Sequence, residues 1–157
     1  MSIREGTVDD IMLPAHYRAG VIPYTFIDGK VYWLMGINQH YMWSDFGGGC
    51  KKVETTYSCL MRELYEESNG LLNDVVERAI DNRNGVKVYI AYDRKGNLND
   101  YLLLVPIPYC DYEFTPNREL RSLHWIPESA ILNPFTPLRL LHSALMRFVQ
   151  YMREQID

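Results

Sequence analysis

Three consecutive glycines run into a segment with strong helical periodicity, and no other stretch of the chain restricts its fold as tightly. Gly47-Gly48-Gly49 is followed by Cys50-Lys51-Lys52-Val53-Glu54 and then by Thr55 to Ser68. In that last segment Tyr57, Leu60, Met61 and Leu64 recur at i, i+3, i+4 and i+7. A helix gathers them into one apolar stripe, which anchors it on a sheet. Ser68-Asn69-Gly70 supplies the stop, because Asn and Gly tolerate the left-handed conformation of a helix end. Glu63, Glu66 and Glu67 fall on one arc of the same helix, about a quarter of its circumference. Carboxylates that close repel by roughly 4 kcal/mol per pair at 4 Å and an effective dielectric of 20. A hard divalent cation relieves that repulsion, and Mg²⁺ in particular combines a few carboxylate oxygens with waters and phosphates. The stretch therefore reads as a place for a metal ion and a diphosphate.

The rest of the chain supplies a sheet for that helix. Gly20 to Ile27 and Val31 to Ile37 are rich in strand formers, and Asp28-Gly29 between them predicts a tight hairpin. Tyr41 to Phe46 leads to the glycines. Residues 71–84 fit neither period clearly. Val86 to Tyr92 and Tyr101 to Ile107 predict two more strands joined by a turn over Asp93 to Asn99, and a loop follows from Pro108 to Asn117. Leu123 to Ile126 predicts a short extended piece ending at Pro127. Thr136-Pro137 predicts a helix start, with Leu138, Leu141, Leu145, Phe148, Val149 and Met152 on one apolar face. Strands, helix, strands, helix make an α/β fold, a mixed sheet with flanking helices in one domain over 1–157.

Composition narrows the function. The 157 residues suit a single domain, and 47% hydrophobic with 23% charged content is ordinary for a globular protein. A formal net charge of -4 argues against broad nucleic-acid binding, though a local basic pocket is compatible with it. No apolar run could span a membrane, and the first residues lack a secretory pattern. Cys50, Cys59 and Cys110 form an odd set without CxxC spacing, which predicts reduced thiols and a cytoplasmic location. The scattered His and Cys residues lack zinc-ligand spacing. His16, His40, His124 and His142 show no constellation and read as structural.

The offsets around the glutamates resemble those of a known family. Gly48 is followed after five residues by Glu54, and after seven more by Arg62-Glu63-Leu64-x-Glu66-Glu67. This resembles the Nudix box, G-x5-E-x7-R-E-U-x-E-E-x-G-U, where U is aliphatic. Arg18 to Ile22 looks like the family's first strands, and Asn117-Arg118-Glu119-Leu120 with Trp125-Ile126-Pro127 looks like its late segment. The chain departs from the pattern at Phe46, where the family has proline, and at Val53, where it has glycine. It also has Asn69 where the box has glycine, with Gly70 one residue later.

The resemblance implies a Nudix-like α/β/α sandwich that uses Mg²⁺ or Mn²⁺ to hydrolyse a nucleoside diphosphate linked to another group. It implies that Glu63, Glu66 and Glu67 hold the metal, with Glu63 also the leading general base. Arg62 would pair with a box glutamate such as Glu54 and keep the carboxylates in register. Backbone near Gly48 would approach metal and phosphates, which a Cβ would obstruct. Members recruit a further acid from a later loop, for which Glu119 is the first candidate and Glu113 the second. Lys51 and Lys52 either meet substrate phosphates or are solvated loop lysines. Tyr41 and Trp43 either stack a base or pack into the protein.

Two other readings stand beside a nucleotide pyrophosphohydrolase. One is a relative acting on capped RNA or a diphosphoinositol polyphosphate, which predicts a basic rim from Arg18, Lys51, Lys52 and Arg139. The other is a non-catalytic nucleotide sensor on the same fold, against which the intact acidic set argues. A Rossmann-type binder fits less well, because the glycines are contiguous and no βαβ repeat is present. A homodimer is compatible with the resemblance.

Overall fold

The fold opens on a strand that the sequence pattern does not single out, β1 (Ser2–Gly6), followed by a 3-10 turn at Val8–Met12. The expected hairpin comes next, as β2 (Arg18–Ile27) and β3 (Lys30–Asn38). Asp28 and Gly29 take positive φ, 51° and 78°, as a tight turn between antiparallel strands requires. The computed structural model describes residues 2–156, with Leu98 and Asn99 by backbone alone, so both ends of the expected 1–157 domain lie outside the described residues.

The glycines are themselves a strand rather than a loop. After β4 (Trp43–Ser44), β5 (Phe46–Gly49) pairs antiparallel with β2, placing Gly48 opposite Ala19 and Gly47 opposite Gly20. A Cβ on Gly47 would come within 2.6 Å of the Ala19 carbonyl oxygen and the Gly20 Cα, so this pairing excludes any larger residue. Helix α1 (Thr56–Ser68) follows, with Thr55 and Ser58 capping each other reciprocally at its start. Asn69 ends it with φ 57° and Gly70 continues in the same region at 74°, so the Asn-for-Gly departure leaves a sound helix end.

The ambiguous segment is a helix, α2 (Asn73–Asn82). Strands β6 (Lys87–Tyr92) and β7 (Leu98–Pro106) form the second hairpin. Its turn is shorter than expected because the Asp93 carboxylate accepts the N–H groups of Lys95 and Asn97 and closes it at Asn97. Strand β8 (Leu120–Pro127) extends the predicted short piece and runs into α3 (Glu128–Leu132), too brief for sequence periodicity to reveal. The expected terminal helix starts late. Leu138–Leu140 is a 3-10 turn, Leu141 bridges to Trp43, and α4 spans Ser143–Glu154. The His142 N–H donates to the Trp43 carbonyl at 2.8 Å, and this pairing holds the chain extended where a continuous helix was expected.

The strands make one mixed sheet in the order β1-β6-β7-β2-β3-β4, with β5 on β2 and β8 on β3. β2 runs parallel to β7, and its other edge is divided: β5 pairs with its first residues and β3 with its last. Helices α1 and α2 bury Leu60, Leu64, Val76 and Ile80 against one face, with Val21 and Leu103. Helix α4 buries Leu145, Phe148 and Val149 against the other, with Trp33 and Leu102. The three layers are the expected α/β/α sandwich. Among the described residues no helix is long and apolar enough to cross a membrane.

The cysteines correct the sequence expectation. Cys50 and Cys59 form a disulfide with Cα atoms 5.3 Å apart, and only Cys110 is a free, exposed thiol. The two lie nine positions apart, and only the return of the chain from β5 into the first turn of α1 brings them together.

Candidate active site

The candidate side chains are fixed where α1 lies against β5. The Glu63 carboxylate sits where a side chain on Gly48 would be, since a Cβ there would lie 2.6 Å from it. One helical turn on, Glu67 accepts a hydrogen bond from the Gly47 N–H at 2.6 Å and is almost fully buried. The glycines are thus required on the helix side as well as on the β2 side.

Arg62 organises the exposed half of the cluster. Its guanidinium donates to both oxygens of Glu54, at 2.7 and 3.1 Å, as the resemblance implied. It also donates to Glu63 at 2.9 Å and to the Gly49 carbonyl at 2.9 Å, and it reaches Glu66 at 3.3 Å. The hydrogen bond to Arg62 holds the Glu54 carboxyl below its usual range. Glu63 is shifted up instead, because its burial outweighs the arginine and Glu66 and Glu119 add repulsion.

A second ion-pair network is buried close by. Asp45, fully buried, receives two hydrogen bonds from Arg18, at 3.0 and 2.7 Å. Arg18 lies 3.7 Å from Asp100, whose other oxygen accepts from Arg147 at 3.0 Å. Burial pushes Asp100 up to about 6 even with two arginines at hand. Sequence reading missed Asp45, and the signal was an acidic residue inside the apolar Trp43–Phe46 segment. It also placed Arg18 on an exposed basic rim, whereas the Arg18 side chain is only 10% exposed and committed to these aspartates.

Glu67 is the most perturbed acid of the site. Burial pushes it up to about 9, with Asp45, Glu63 and Glu119 adding repulsion and the Gly47 N–H opposing them. It borders a cleft of about 280 Å³ also lined by Gly47, Arg118, Glu119, His40 and His142. Asn117 brings Glu119 there. Its amide donates to the Glu67 carbonyl at 2.9 Å and to the Asn69 side chain at 2.8 Å, while its own side-chain oxygen accepts the Glu119 N–H. A larger groove of about 550 Å³, bounded by Lys30, Glu128 and Ile156, contains none of these acids.

Gly48, Arg62, Glu63, Glu66, Glu67 and Glu119 are therefore gathered around the α1–β5 junction and its cleft. Glu113 is exposed and does not line the cleft, and the same holds for Lys51 and Lys52. Tyr41 is 68% exposed with the Arg121 guanidinium 4.2 Å above its ring. Trp43 packs on the second core, edge-on to His124. His40 and His142, read as structural, share the cleft wall instead. Among the described residues no three His, Cys, Asp or Glu side chains converge as a ready ligand set, and Arg62 occupies Glu63 and Glu66. The donors are nonetheless all carboxylate oxygens with an unneutralised excess at Glu67, which suits a hard divalent cation.

No protein-family model and no curated protein matches the chain. Solved structures do. An Ap4A hydrolase binary complex from C. elegans superposes with a TM-score of 0.55 at 16% identity, over 88% of this chain and 96% of that one. The Nudix hydrolase RenU of M. smegmatis gives 0.58 at 15% identity, over 89% and 85%. A bifunctional NMN adenylyltransferase/ADP ribose pyrophosphatase from Francisella tularensis, complexed with AMP and a Mn ion, gives 0.52 at 17% identity, over 90% of this chain and 42% of that one. Sharing one architecture with these enzymes along nearly its whole length, and carrying the box residues together at the α1–β5 junction, the chain has the Nudix fold.

Proposed function

We propose that this protein is a metal-dependent hydrolase of a diphosphate linkage in a nucleoside diphosphate derivative. The observation that carries the reading is Glu67, a nearly buried carboxylate pushed up to about 9 beside Glu63 and Glu119, at the mouth of a cleft. Such an acid excess is costly unless a cation joins it. Glu63, Glu66 and Glu67, with Glu119 from the late segment and backbone at Gly48, would hold Mg²⁺ or Mn²⁺. When bound, the ion would neutralise phosphoryl charge and acidify water.

The chain's own residues do the rest. Gly47 and Gly48 let β5 lie close against β2 and Glu63, where any side chain would collide, and so bring its backbone beside the carboxylates. Glu63 is half-buried and shifted up, so it is suited to take a proton from the attacking water. Arg62 holds Glu54, Glu63 and the Gly49 carbonyl in one register, and Asn117 sets Glu119 against the end of α1. The AMP and Mn of the Francisella enzyme and the Ap4A hydrolase of C. elegans support a nucleotide substrate and a divalent metal. The capped-RNA and inositol reading loses Arg18 from its basic rim, because that side chain is buried in ion pairs.

The test is purified protein with Mg²⁺ or Mn²⁺ against nucleoside triphosphates, dinucleoside polyphosphates, nucleotide sugars, capped RNA and inositol pyrophosphates. Product from a nucleotide member is expected. If the whole panel stays intact, the enzyme reading fails and the sensor reading replaces it. Turnover by Glu63→Gln at saturating metal checks the base, which lies elsewhere if the rate stays near normal.

A further inference from the structure

The cleft beside Glu67 holds more hydrogen-bond donors than the carboxylate chemistry uses. Arg118 and His40 line it, and neither side chain has a hydrogen bond or ion pair among the described residues. His142 lines it too, and its Nδ1 is buried without a partner. A proton on that nitrogen would be a buried, unsatisfied donor, so the favoured tautomer carries its proton on Nε2, from which the ring can donate. The neighbouring polar side chains are already committed. The Asn38 side-chain oxygen accepts the N–H groups of His40 and Met42 at 2.9 and 3.0 Å, and Gln39 donates to the Asn117 carbonyl at 3.0 Å. These bonds shape the 38–42 turn, with Tyr41 at φ 62°, and so fix where His40 stands.

Three donors able to face an anion thus share a cleft with Glu67 and Glu119, in a chain whose net charge is -4. Acids that bind a cation account for one part of a bound polyphosphate. Arg118 and His40 are exposed, and their side chains make no hydrogen bond or ion pair among the described residues, so a second anionic group can replace water on them without breaking a protein bond. We propose that His40, Arg118 and His142 form a subsite for a phosphoryl group beyond the scissile diphosphate, so that the substrate class is a nucleotide derivative with three or more consecutive phosphates. This rests on the hydrolase reading for the identity of the scissile linkage, but the subsite itself can be measured without turnover. The cleft, at about 280 Å³, is near the lower limit of small-ligand pockets, which suits a phosphate chain with its sugar better than a large polymer.

The experiment compares binding of inorganic tripolyphosphate and pyrophosphate to wild-type protein, Arg118→Gln, His142→Asn and Arg94→Gln, by calorimetry without and with Mg²⁺. Alongside it, kcat/KM is compared for a dinucleoside tetraphosphate and a nucleotide sugar. Wild type should bind tripolyphosphate at least about ten-fold more tightly than pyrophosphate, the worth of one charge-assisted bond. Arg118→Gln and His142→Asn should each abolish that preference and lower the long-to-short kcat/KM ratio by a similar factor. Arg94→Gln, the same charge change on the β6–β7 turn outside the cleft, should retain it. Arg118 is exposed, so its variant reports even if His142→Asn folds poorly. Hydrolysis of diphosphates with no preference for the longer chain, or a preference that survives both substitutions, overturns the subsite and leaves the hydrolase reading standing. Chain-length-selective binding that the substitutions abolish, with no hydrolysis of any substrate, upholds the subsite and overturns the hydrolase reading.

Discussion

Two arginine–carboxylate clusters flank the same short strand, β5, and they are built in opposite ways. Around Arg62, one partly exposed guanidinium is spread over Glu54, Glu63, Glu66 and the Gly49 carbonyl. Around Asp45, two arginines serve two aspartates, and every aspartate oxygen but one accepts a hydrogen bond. The first has more carboxylates than cationic charge and is partly open to water. The second is balanced, and its aspartates are sealed from water. A sealed pair resists change, because removing one partner strands a charge in low dielectric. An over-subscribed arginine has contacts to spare, so a cation can join the same carboxylates at modest cost. On the proposed reading, the first cluster would serve chemistry and the second would hold the strand beside it.

Substitutions can break that contrast. The largest effect should be Glu67→Gln, which removes the charge but not the shape, with turnover falling about 10²-fold or more. Glu67 is only 6% exposed, which strengthens the case for an isosteric change. The same variant has a stability signature. With a folded-state pKa of about 9 against an ordinary 4.5, the folded protein binds more protons than the unfolded chain between those values. Metal-free wild type should therefore lose stability as pH rises from about 5 to 9, and Glu67→Gln should flatten that slope in thermal melts. A slope unchanged by the substitution would move the burden to another acid.

Next in size is Arg18→Met, which strands Asp45. Chemical denaturation should show a loss of about 3–5 kcal/mol. If stability falls by less than about 1 kcal/mol, the sealed cluster is not what secures β5. Reducing the Cys50–Cys59 bond, or replacing Cys50 with Ser, should cost about 2–3 kcal/mol for so short a closed loop. Smallest in stability is Arg62→Lys, at about 1 kcal/mol or less, as for pairs that water reaches. Its kcat should nonetheless drop about ten-fold or more, since Lys cannot make the two-pronged contact with Glu54. Equal stability losses for the Arg18 and Arg62 variants would erase the distinction between the clusters.

Local signals were legible in the sequence. Asp28-Gly29 announced its hairpin, the Tyr57–Leu64 stripe announced α1, and the box offsets announced the Arg62–Glu54 pair, because each depends on residues a few positions apart. Features made by distant strands were not. Asp45 gains its meaning from Arg18, and Asp100 from Arg147 as well, through the parallel β2–β7 pairing. Leu141 fits a helical face by spacing, yet its backbone pairs with Trp43 and delays α4. Cys50 and Cys59 lacked any signature that could separate a bonded pair from two free thiols.

The β7-facing edge of β2 has a consequence for anyone who would transplant this site. Residues 18–70 contain every box position and form a contiguous stretch, so they look like a portable cassette. Excised, that stretch would expose the whole β7-facing edge of β2, an open template for aggregation. It would also leave Arg18 without Asp100 and the cleft without Glu119 and His142. The motif is compact in sequence, but the pocket it serves is a property of the complete sheet, so grafting has to carry the β7 edge and the start of α4 along with the box.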